Sequence, residues 1–242
     1  MLQWLPQKLA DFLDLMKEMW VKRNIPNISW NTALFLREKL QPRGIKNILE
    51  IGPANGFSTM VLALSCPEAQ ITSVECSRHA FEELRHNIQI FSTITNYELR
   101  ITNGGDFSPA EFWPKVTSDV CQIEIGNFSL YYADARELLP TFLAWVPGII
   151  CSNPKSQITN IPKKQFDFIF IDGAFRMTRE FFDLSLPLLS EWGLIILDDA
   201  IKYRSKMDGF HEYLESRNIR YEIVQTDEDD GVMVIMNEKL IM

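Results

Sequence analysis

Lys46 to Thr59 reads Lys-Asn-Ile-Leu-Glu-Ile-Gly-Pro-Ala-Asn-Gly-Phe-Ser-Thr, and this stretch decides the fold. It begins as a short apolar run that ends in Glu50, turns through two glycines, and becomes helical at Ser58. We therefore predict a strand, a tight loop and the start of a helix. Glycine has no Cβ, so the loop backbone can approach a ligand closely, and the first N–H groups of the helix point toward that ligand.

The loop lacks both common phosphate-binding signatures. G-x-G-x-x-G and G-x-x-x-x-G-K-[ST] each need residues that are missing here, so a dehydrogenase is disfavoured. Glu50 stands where it would repel a pyrophosphate but suit a cation. S-adenosylmethionine (SAM) carries a sulfonium and an ammonium, and we predict it as the cofactor. The loop residues predicted to bind it are Gly52, Pro53, Ala54, Asn55, Gly56 and Ser58.

Composition sets the class of protein. The chain has 242 residues, 46% hydrophobic and 23% charged, which is typical of a globular α/β domain. A net charge of −8 argues against broad nonspecific binding to nucleic acid, although it leaves room for a local basic patch. Four cysteines without a C-x-x-C pair indicate reduced thiols in a cytoplasmic protein. No leader-like or membrane-spanning apolar run occurs, so no membrane partner is expected.

Residues 1–45 are predicted to form an N-terminal helical cap. Apolar residues at 5, 9, 12, 13, 16 and 20 form one helix face, which we expect to pack on its own domain or on a second subunit. A membrane-surface helix is disfavoured because the polar face is not rich in Lys or Arg. A second helix, capped by Asn31, is expected to end near Leu40.

The rest of the chain alternates strands and helices. We predict a Rossmann-like α/β domain over residues 1–242, with a seven-stranded, mostly parallel sheet and helices on both faces. Residues 220–225 and 232–236 are expected to close it as an antiparallel hairpin. Two irregular stretches, near 96–127 and 147–162, are interpreted as insertions.

Acidic residues follow the predicted strands at their carboxyl ends, where open α/β sheets bind ligands. They are Glu50, Glu75, Asp134, Asp172, Asp198 and Asp199. Acids can also end strands simply because loops are hydrated. Six acids at the carboxyl ends of successive predicted strands nevertheless favour a ligand-binding edge of the sheet.

Three of the strand ends are assigned to the cofactor. Glu75 is expected to accept hydrogen bonds from the ribose hydroxyls, with an ordinary surface glutamate as the alternative. Asp134 and Ala135 are placed at the adenine amino edge, and Glu50 is expected to balance the methionine ammonium. Cys76, next to Glu75, completes the predicted cofactor contacts.

The remaining acids suggest a metal. Asp172, Asp198 and Asp199 offer only oxygen ligands, which suits a hard divalent cation such as Mg²⁺. Such a cation would lower the pKa of a bound hydroxyl and orient it toward the sulfonium methyl. Asp172 is therefore a predicted catalytic, cofactor-binding and metal-binding residue.

The chain resembles the metal-dependent class I SAM O-methyltransferases, which include catechol, caffeoyl-coenzyme A and bacterial tRNA 5-hydroxyuridine methyltransferases. The resemblance covers most of the chain. It is carried by Ile25-Pro26, Ile48 to Thr59, Glu75, Asp134-Ala135, Phe166 to Asp172, Leu186 to Leu189, Leu197-Asp-Asp199 and Asp230-Gly-Val-Met-Val-Ile. It implies a class I methyltransferase fold, SAM and Mg²⁺ as cofactors, and a homodimer built through the N-terminal helices.

Two positions depart from that family. The Asp172 motif often continues to a Lys that helps deprotonate the substrate, and here that position is Phe175. Arg176 is too basic to replace it, so Lys202 is the predicted catalytic base. The alternative is that the metal alone acidifies a hydroxyl that is already acidic. The last metal ligand is usually Asn, and here it is Asp199.

The sequence does not decide between two classes of methyl acceptor. A basic rim could face the site and serve a tRNA substrate, or the same residues could be solvated helix ends beside a small-molecule hydroxyl substrate. The residues of this predicted basic rim are Arg176, Arg179, Lys202, Arg204 and Lys206. A noncatalytic cofactor-binding subunit is a further alternative, because the family Lys is missing.

Overall fold

The computed structural model describes residues 10–16, 18, 27–95, 121–143, 149–150, 157–158, 165–207 and 209–236. The strands, numbered in chain order, are β1 (Asn47–Ile51), β2 (Gln70–Glu75), β3 (Cys121–Ile125), β4 (Phe128–Tyr132), β5 (Ile149–Ile150), β6 (Gln157–Ile158), β7 (Phe166–Ile171), β8 (Leu189–Leu197), β9 (Tyr221–Gln225) and β10 (Gly231–Met236). The labelled helices are α1 (Trp30–Leu40), α2 (Phe57–Ser65), α3 (Arg78–Thr95), α4 (Ala135–Leu143), α5 (Thr178–Ser185) and α6 (Phe210–Ser216).

The main sheet has the order β3-β4-β2-β1-β7-β8-β10-β9. Its centre, from β4 to β8, is parallel, whereas β10 runs antiparallel to both β8 and β9. The mostly parallel sheet and its C-terminal antiparallel hairpin are therefore confirmed. The short pair β5 and β6 forms a separate antiparallel ladder within the predicted 147–162 insertion.

The sheet has eight strands instead of the predicted seven. The extra strand, β3, pairs antiparallel with β4 and comes from the end of the stretch interpreted as an insertion. Gly126, with φ 57°, allows the tight reversal between them, and Asn127 Nδ2 anchors it by donating to the carbonyl of Ala69 at 2.6 Å. This pairing depends on the folded edge of β4, so the local pattern did not indicate it. Residues 96–120 lie outside the described residues.

Helices cover both faces of the sheet, as predicted. One core includes Leu36, Phe57, Leu84 and Phe168, and the other includes Tyr131, Phe182, Ile195 and Phe210. Alternate residues of each central strand supply the two cores, because successive side chains point to opposite faces. Burial of these large side chains is the main source of the fold's stability.

The predicted N-terminal helical cap, residues 1–45, contains α1 and a further helical stretch, while residues 1–9, 17 and 19–26 lie outside the described residues. Residues 10–16 are helical, and Ala10, Leu13 and Met16 are buried, so this face packs on its own domain. The predicted Asn31 cap is wrong. Ser29 caps α1, because its Oγ accepts from the backbone N of Thr32 at 2.9 Å, while Asn31 Nδ2 donates to Asp227 Oδ1 at 2.8 Å. Within the described residues, no helix has the length and apolar character needed to cross a membrane.

The strand order places a crevice at the carboxyl end of β1. Strands β2 and β4 lie on one side of β1, and strands β7 and β8 lie on the other. Ligands of open α/β sheets bind at such a reversal. The backbone continues the pairing there, since Gly52 N donates to Val74 O at 3.0 Å and Asp172 N donates to Ile51 O at 2.9 Å.

Candidate active site

The predicted acids follow their strands at one edge of the sheet. The strand order arranges them in a row as Asp134, Glu75, Glu50, Asp172 and then Asp198-Asp199. Glu50 and Asp172 therefore meet at the crevice. The first three acids of the row are assigned to the cofactor, Asp198 and Asp199 to a metal, and Asp172 to both, and these ligand assignments remain predictions.

The glycine loop is held by steric limits. Gly52 has φ 84°, and a Cβ there would overlap the carbonyl oxygen of Asp172. Gly56 has φ 90°, and a Cβ would lie 2.7 Å from Leu84 Cδ1. Both positions favour glycine, because an L side chain is disfavoured at such φ values, and at Gly52 a side chain would also collide with the backbone of Asp172. The close approach at Gly52 brings the glycine loop directly against Asp172, at the carboxyl end of β7.

The same loop is fixed by hydrogen bonds. Gly56 N donates to Pro53 O at 2.8 Å, and Asn87 Nδ2 donates to the carbonyl of Asn55 at 2.9 Å. Ala54 also has a positive φ, 48°, and its N–H donates to Glu75 Oε2 at 3.1 Å. The chain therefore shapes this loop before any ligand arrives, which lowers the entropic cost of binding.

Glu50 is fully buried and accepts hydrogen bonds from three hydroxyl groups. Ser58 Oγ donates to Oε1 at 2.6 Å, and Thr59 Oγ1 and Ser73 Oγ donate to Oε2 at 2.6 and 2.8 Å. Burial raises the pKa of Glu50, and the three hydroxyls oppose that rise. The carboxylate thus ties the start of α2 to β1 and β2. Its predicted charge balance with an ammonium remains a prediction, and Thr59 and Ser73 are site residues that sequence reasoning missed.

Glu75 has acceptor capacity left for a ligand. Its Oε2 accepts from Ala54 N, and its Oε1 accepts from Ser77 N at 2.7 Å. Burial is the main cause of its raised pKa. The backbone N–H of Cys76 also donates to this carboxylate, and because a carboxylate offers about four acceptor sites, capacity for a ribose hydroxyl remains beside these three bonds. Cys76 follows it as an exposed free thiol.

Asp134 is engaged by its neighbour Arg136. Arg136 Nε donates to Oδ1 at 3.0 Å and to Oδ2 at 3.1 Å, and the Arg136 backbone N donates to Oδ1 at 2.9 Å. This pairing lowers the pKa of Asp134. The predicted contact of Asp134 and Ala135 with adenine is untested. Arg136, two residues from the acid, is a neighbour that the strand-end pattern did not reveal.

Asp172, Asp198 and Asp199 form one compact cluster. One carboxylate oxygen from each lies within 4.8 Å of the others. Burial, followed by the charges of Asp198 and Asp199, raises the pKa of Asp172 well above its usual range. Burial and a hydrogen bond with Asp230 raise the pKa of Asp199 to about 8. Three repelling oxygen donors at this spacing fit a hard divalent cation, which would relieve the repulsion.

Asp230 positions the third acid of this cluster. Its Oδ1 accepts from Gly231 N at 2.7 Å and from Lys202 N at 3.2 Å, and its side chain bonds that of Asp199. Asp199 itself has φ 57°, a left-handed conformation that Asp and Asn tolerate better than most residues. Asp230 entered the sequence reasoning only as part of a matching motif, and the structure shows it supporting the cluster.

A cavity of about 350 Å³ opens beside the acid cluster. It is lined by Asn27, Ser29, Thr32, Asp172, Asp198, Asp199, Lys202, Tyr203 and the acidic turn, which we define as residues 227–230. Lys202 Nζ lies 3.8 Å from Asp229 Oδ2. Phe175, at the position of the family Lys, stacks on Tyr203 with ring centroids 4.1 Å apart.

The predicted basic rim is largely directed elsewhere. Of its five cations, Lys202 alone is among the described residues that line the cavity. Arg179 lies 4.1 Å over the ring of Tyr213, and Lys206 lies 4.5 Å over that of Tyr203. The acidic turn instead supplies four further acids to the lining of this cavity.

The parallel sheet, the glycine loop and the row of strand-end acids define a Rossmann-like α/β methyltransferase. The chain belongs to the family described as "Methyltransferase domain", whose profile matches residues 49–200. It is therefore a methyltransferase, and the resemblance to class I O-methyltransferases is confirmed at the level of family and fold.

Solved structures from three organisms share this fold. An O-methyltransferase from Bacillus cereus in complex with SAH is 19% identical with a TM-score of 0.64, over 93% of this chain and 90% of that one. TomG from Streptomyces achromogenes, an O-methyltransferase of tomaymycin synthesis in complex with SAM, is 16% identical with a TM-score of 0.63, over 96% and 90%. SAH-bound PaMTH1, a Podospora anserina methyltransferase, is 17% identical with a TM-score of 0.62, over 96% and 88%.

Proposed function

We propose that this chain is a SAM-dependent O-methyltransferase whose acceptor is a small-molecule hydroxyl compound, held beside a divalent cation on Asp172, Asp198 and Asp199. One observation carries the proposal. The glycine loop and the acid cluster abut, since a Cβ on Gly52 would overlap the carbonyl oxygen of Asp172. A methyl donor on that loop and an acceptor at the cluster would therefore be neighbours. The SAM and SAH complexes of similar folds support the choice of cofactor.

The reaction moves one methyl group from sulfur to oxygen. The acceptor oxygen forms a bond to the methyl carbon as the sulfur–carbon bond breaks, and the electron pair of that bond returns to sulfur. A methyl ether and S-adenosylhomocysteine result, and the hydroxyl releases its proton. A divalent cation, when bound, would make that hydroxyl more acidic. Catalysis then rests on positioning two bound reactants, with no covalent enzyme intermediate.

The chain's own residues divide this work. The two glycines and Glu75 would hold and orient the cofactor, and the three aspartates would hold the cation. Lys202 is the amine among the described cavity-lining residues, and we assign it as acceptor of the hydroxyl proton, directly or through a water. The stacked rings of Phe175 and Tyr203 form a rigid aromatic patch next to these groups.

Methyl transfer from labelled SAM, with Mg²⁺ or with a chelator, tests the proposal. The acceptor pools are catechols and tRNA that bears unmethylated 5-hydroxyuridine. We expect chelator-sensitive label in the catechols, lost in Asp198→Ala, while calorimetry shows that this variant still binds SAM. Glu222→Gln is the matched control, because it changes an exposed acid that does not line the cavity. Label that survives both the chelator and Asp198→Ala would contradict the metal role.

A noncatalytic cofactor-binding subunit is the second candidate. Phe175 favours it, because an aromatic ring occupies the position where the family carries a lysine and stacks on Tyr203. The same assay separates the two. SAM binding without label in either acceptor pool is the result that the second candidate predicts, whereas label in the tRNA alone would make the chain an RNA methyltransferase.

A further inference from the structure

The cavity beside the acid cluster carries a large excess of negative charge. Seven of its twelve lining residues are Asp or Glu, and Lys202 is the one cation among those described. Three of the acids are the proposed metal ligands, and the other four form the acidic turn. A bound divalent cation would offset only part of this charge, so the field in the cavity stays negative.

The acidic turn is held in place as a wall of the cavity. Its ends are closed by Thr226 N and Asp227 N, which donate to Asp230 O at 3.1 and 3.0 Å. It is tied to the start of α1 by the bond from Asn31 to Asp227 and by the Thr32 and Thr226 hydroxyls, 2.9 Å apart. These bonds fix the backbone that presents the carboxylates of Glu228 and Asp229.

Those two carboxylates remain available to a ligand. Both residues are exposed, and the contact of Asp229 with Lys202 spans 3.8 Å between side chains that are 74% and 47% exposed. A solvated pair of this kind contributes little and separates easily. Asn27 adds a further polar group, because its Nδ2 is buried and has no hydrogen-bond partner among the described residues. The cavity therefore offers a polar, anionic environment to whatever enters it.

We infer that the methyl acceptor is a cationic hydroxyl compound, with its hydroxyl at the acid cluster and an ammonium group facing the acidic turn. This inference rests on the proposed function. Opposite charges would draw such a molecule into the cavity and orient it, leaving the hydroxyl next to the methyl donor. Phosphate-rich acceptors such as tRNA would instead meet like charge at the same wall, which costs affinity.

Three catechols of similar size test the inference. They carry an ethylammonium, an ethyl or a carboxymethyl substituent, so that charge is the main difference. Their dissociation constants are measured by calorimetry with Mg²⁺ and S-adenosylhomocysteine present, and their kcat/KM values by methyl transfer. The test variant is Glu228→Gln with Asp229→Asn. The control is Glu68→Gln with Glu222→Gln, which removes two exposed acids that do not line the cavity.

We expect the cationic catechol to bind about tenfold more tightly than the neutral one, and the anionic one to bind weakest. The preference should shrink in the test variant and at high salt, and persist in the control variant. Transfer without any charge preference would overturn this inference and keep the proposed function. Charge-selective binding without transfer would overturn the proposed function instead, and neither binding nor transfer would overturn both.

Discussion

Gly52 and Asp172 touch across the crevice between β1 and β7, and no side chain can be accommodated between them. Gly52→Ala should therefore displace the loop or the strand end. We expect the unfolding free energy to fall by at least about 2 kcal/mol and SAM binding to be lost. Gly44→Ala is the matched control, since Gly44 also has a positive φ, 62°, but a Cβ added to it would meet no other atom within 4 Å. It should lose about 1 kcal/mol from backbone strain and keep SAM binding. Denaturant unfolding and calorimetry measure both quantities, and equal losses in the two variants would contradict the steric argument.

The buried carboxylate of Glu50 makes a second prediction possible. Thr59→Val keeps the shape of the side chain but removes one of the three hydroxyl groups that donate to Glu50. The unfolding free energy should therefore fall by about 1.5–3 kcal/mol. Thr93→Val removes an exposed hydroxyl that bonds only the carbonyl of Gln89, and should cost less than about 0.5 kcal/mol. Urea unfolding of the two variants gives the comparison. Similar small losses would mean that the Glu50 network adds little to stability.

The sequence predicted the strand ends and the glycine loop of this site. Apolar runs that end in an acid located the strand ends, and the spacing of Gly52 and Gly56 located the loop, because these features depend on a few adjacent residues. The parallel order then followed from the alternation of strands and helices.

The contacts that the sequence did not predict join distant segments. Ser73 reaches Glu50 from the neighbouring strand, and Asp230 reaches Lys202 from the C-terminal hairpin. The acidic turn connects β9 and β10, and the pairing of these strands beside β8 brings it to the cavity. A basic rim was expected because several cations follow the strand ends in the sequence. The number of cations in a segment does not show, however, which way their side chains point.

The acid cluster predicts a variant that is more stable without metal. The pKa of Asp199 is raised to about 8, so near neutral pH this acid must take up a proton or repel its neighbours when the metal-free chain folds. Asp199→Asn removes that cost and keeps a side chain that tolerates φ 57°, so the metal-free protein should gain about 1 kcal/mol or more. The rise in melting temperature on adding Mg²⁺ should be smaller than in the wild type, because one anionic ligand is lost. Asp229→Asn should change neither value appreciably. Thermal unfolding with chelator and with Mg²⁺ tests this, and a destabilised Asp199→Asn variant in chelator would contradict the repulsion.

The assigned proton acceptor leads to a kinetic prediction. Lys202→Met should lower kcat about 100-fold, because the hydroxyl proton loses its assigned acceptor, with SAM affinity unchanged. Lys206→Met is the control, because Lys206 lies over the Tyr203 ring and does not line the cavity. A Lys202→Met variant that keeps the wild-type kcat would show that the proton leaves by another route.

His211 predicts how stability depends on pH. It is 3% exposed, and its two ring nitrogens have no hydrogen-bond partner among the described residues. Burial, with the charge of Arg204, lowers its pKa, and Glu212 and Glu215 oppose this only in part. The ring also packs edge-on against Tyr221, with centroids 5.7 Å apart. The folded protein therefore holds this histidine neutral at a pH where the unfolded chain binds a proton.

The sign of the effect follows from that difference. As the pH falls below about 6.5, the unfolded state takes up a proton that the native state does not, so unfolding free energy decreases, by of order 1 kcal/mol at pH 5.5. His211→Phe should lose this component of the pH dependence. His79→Phe should keep it, because the side chain of His79 is 78% exposed. Urea unfolding at pH 7.5 and 5.5 provides the comparison, and the same change with pH in wild type and His211→Phe would show that His211 is not its source.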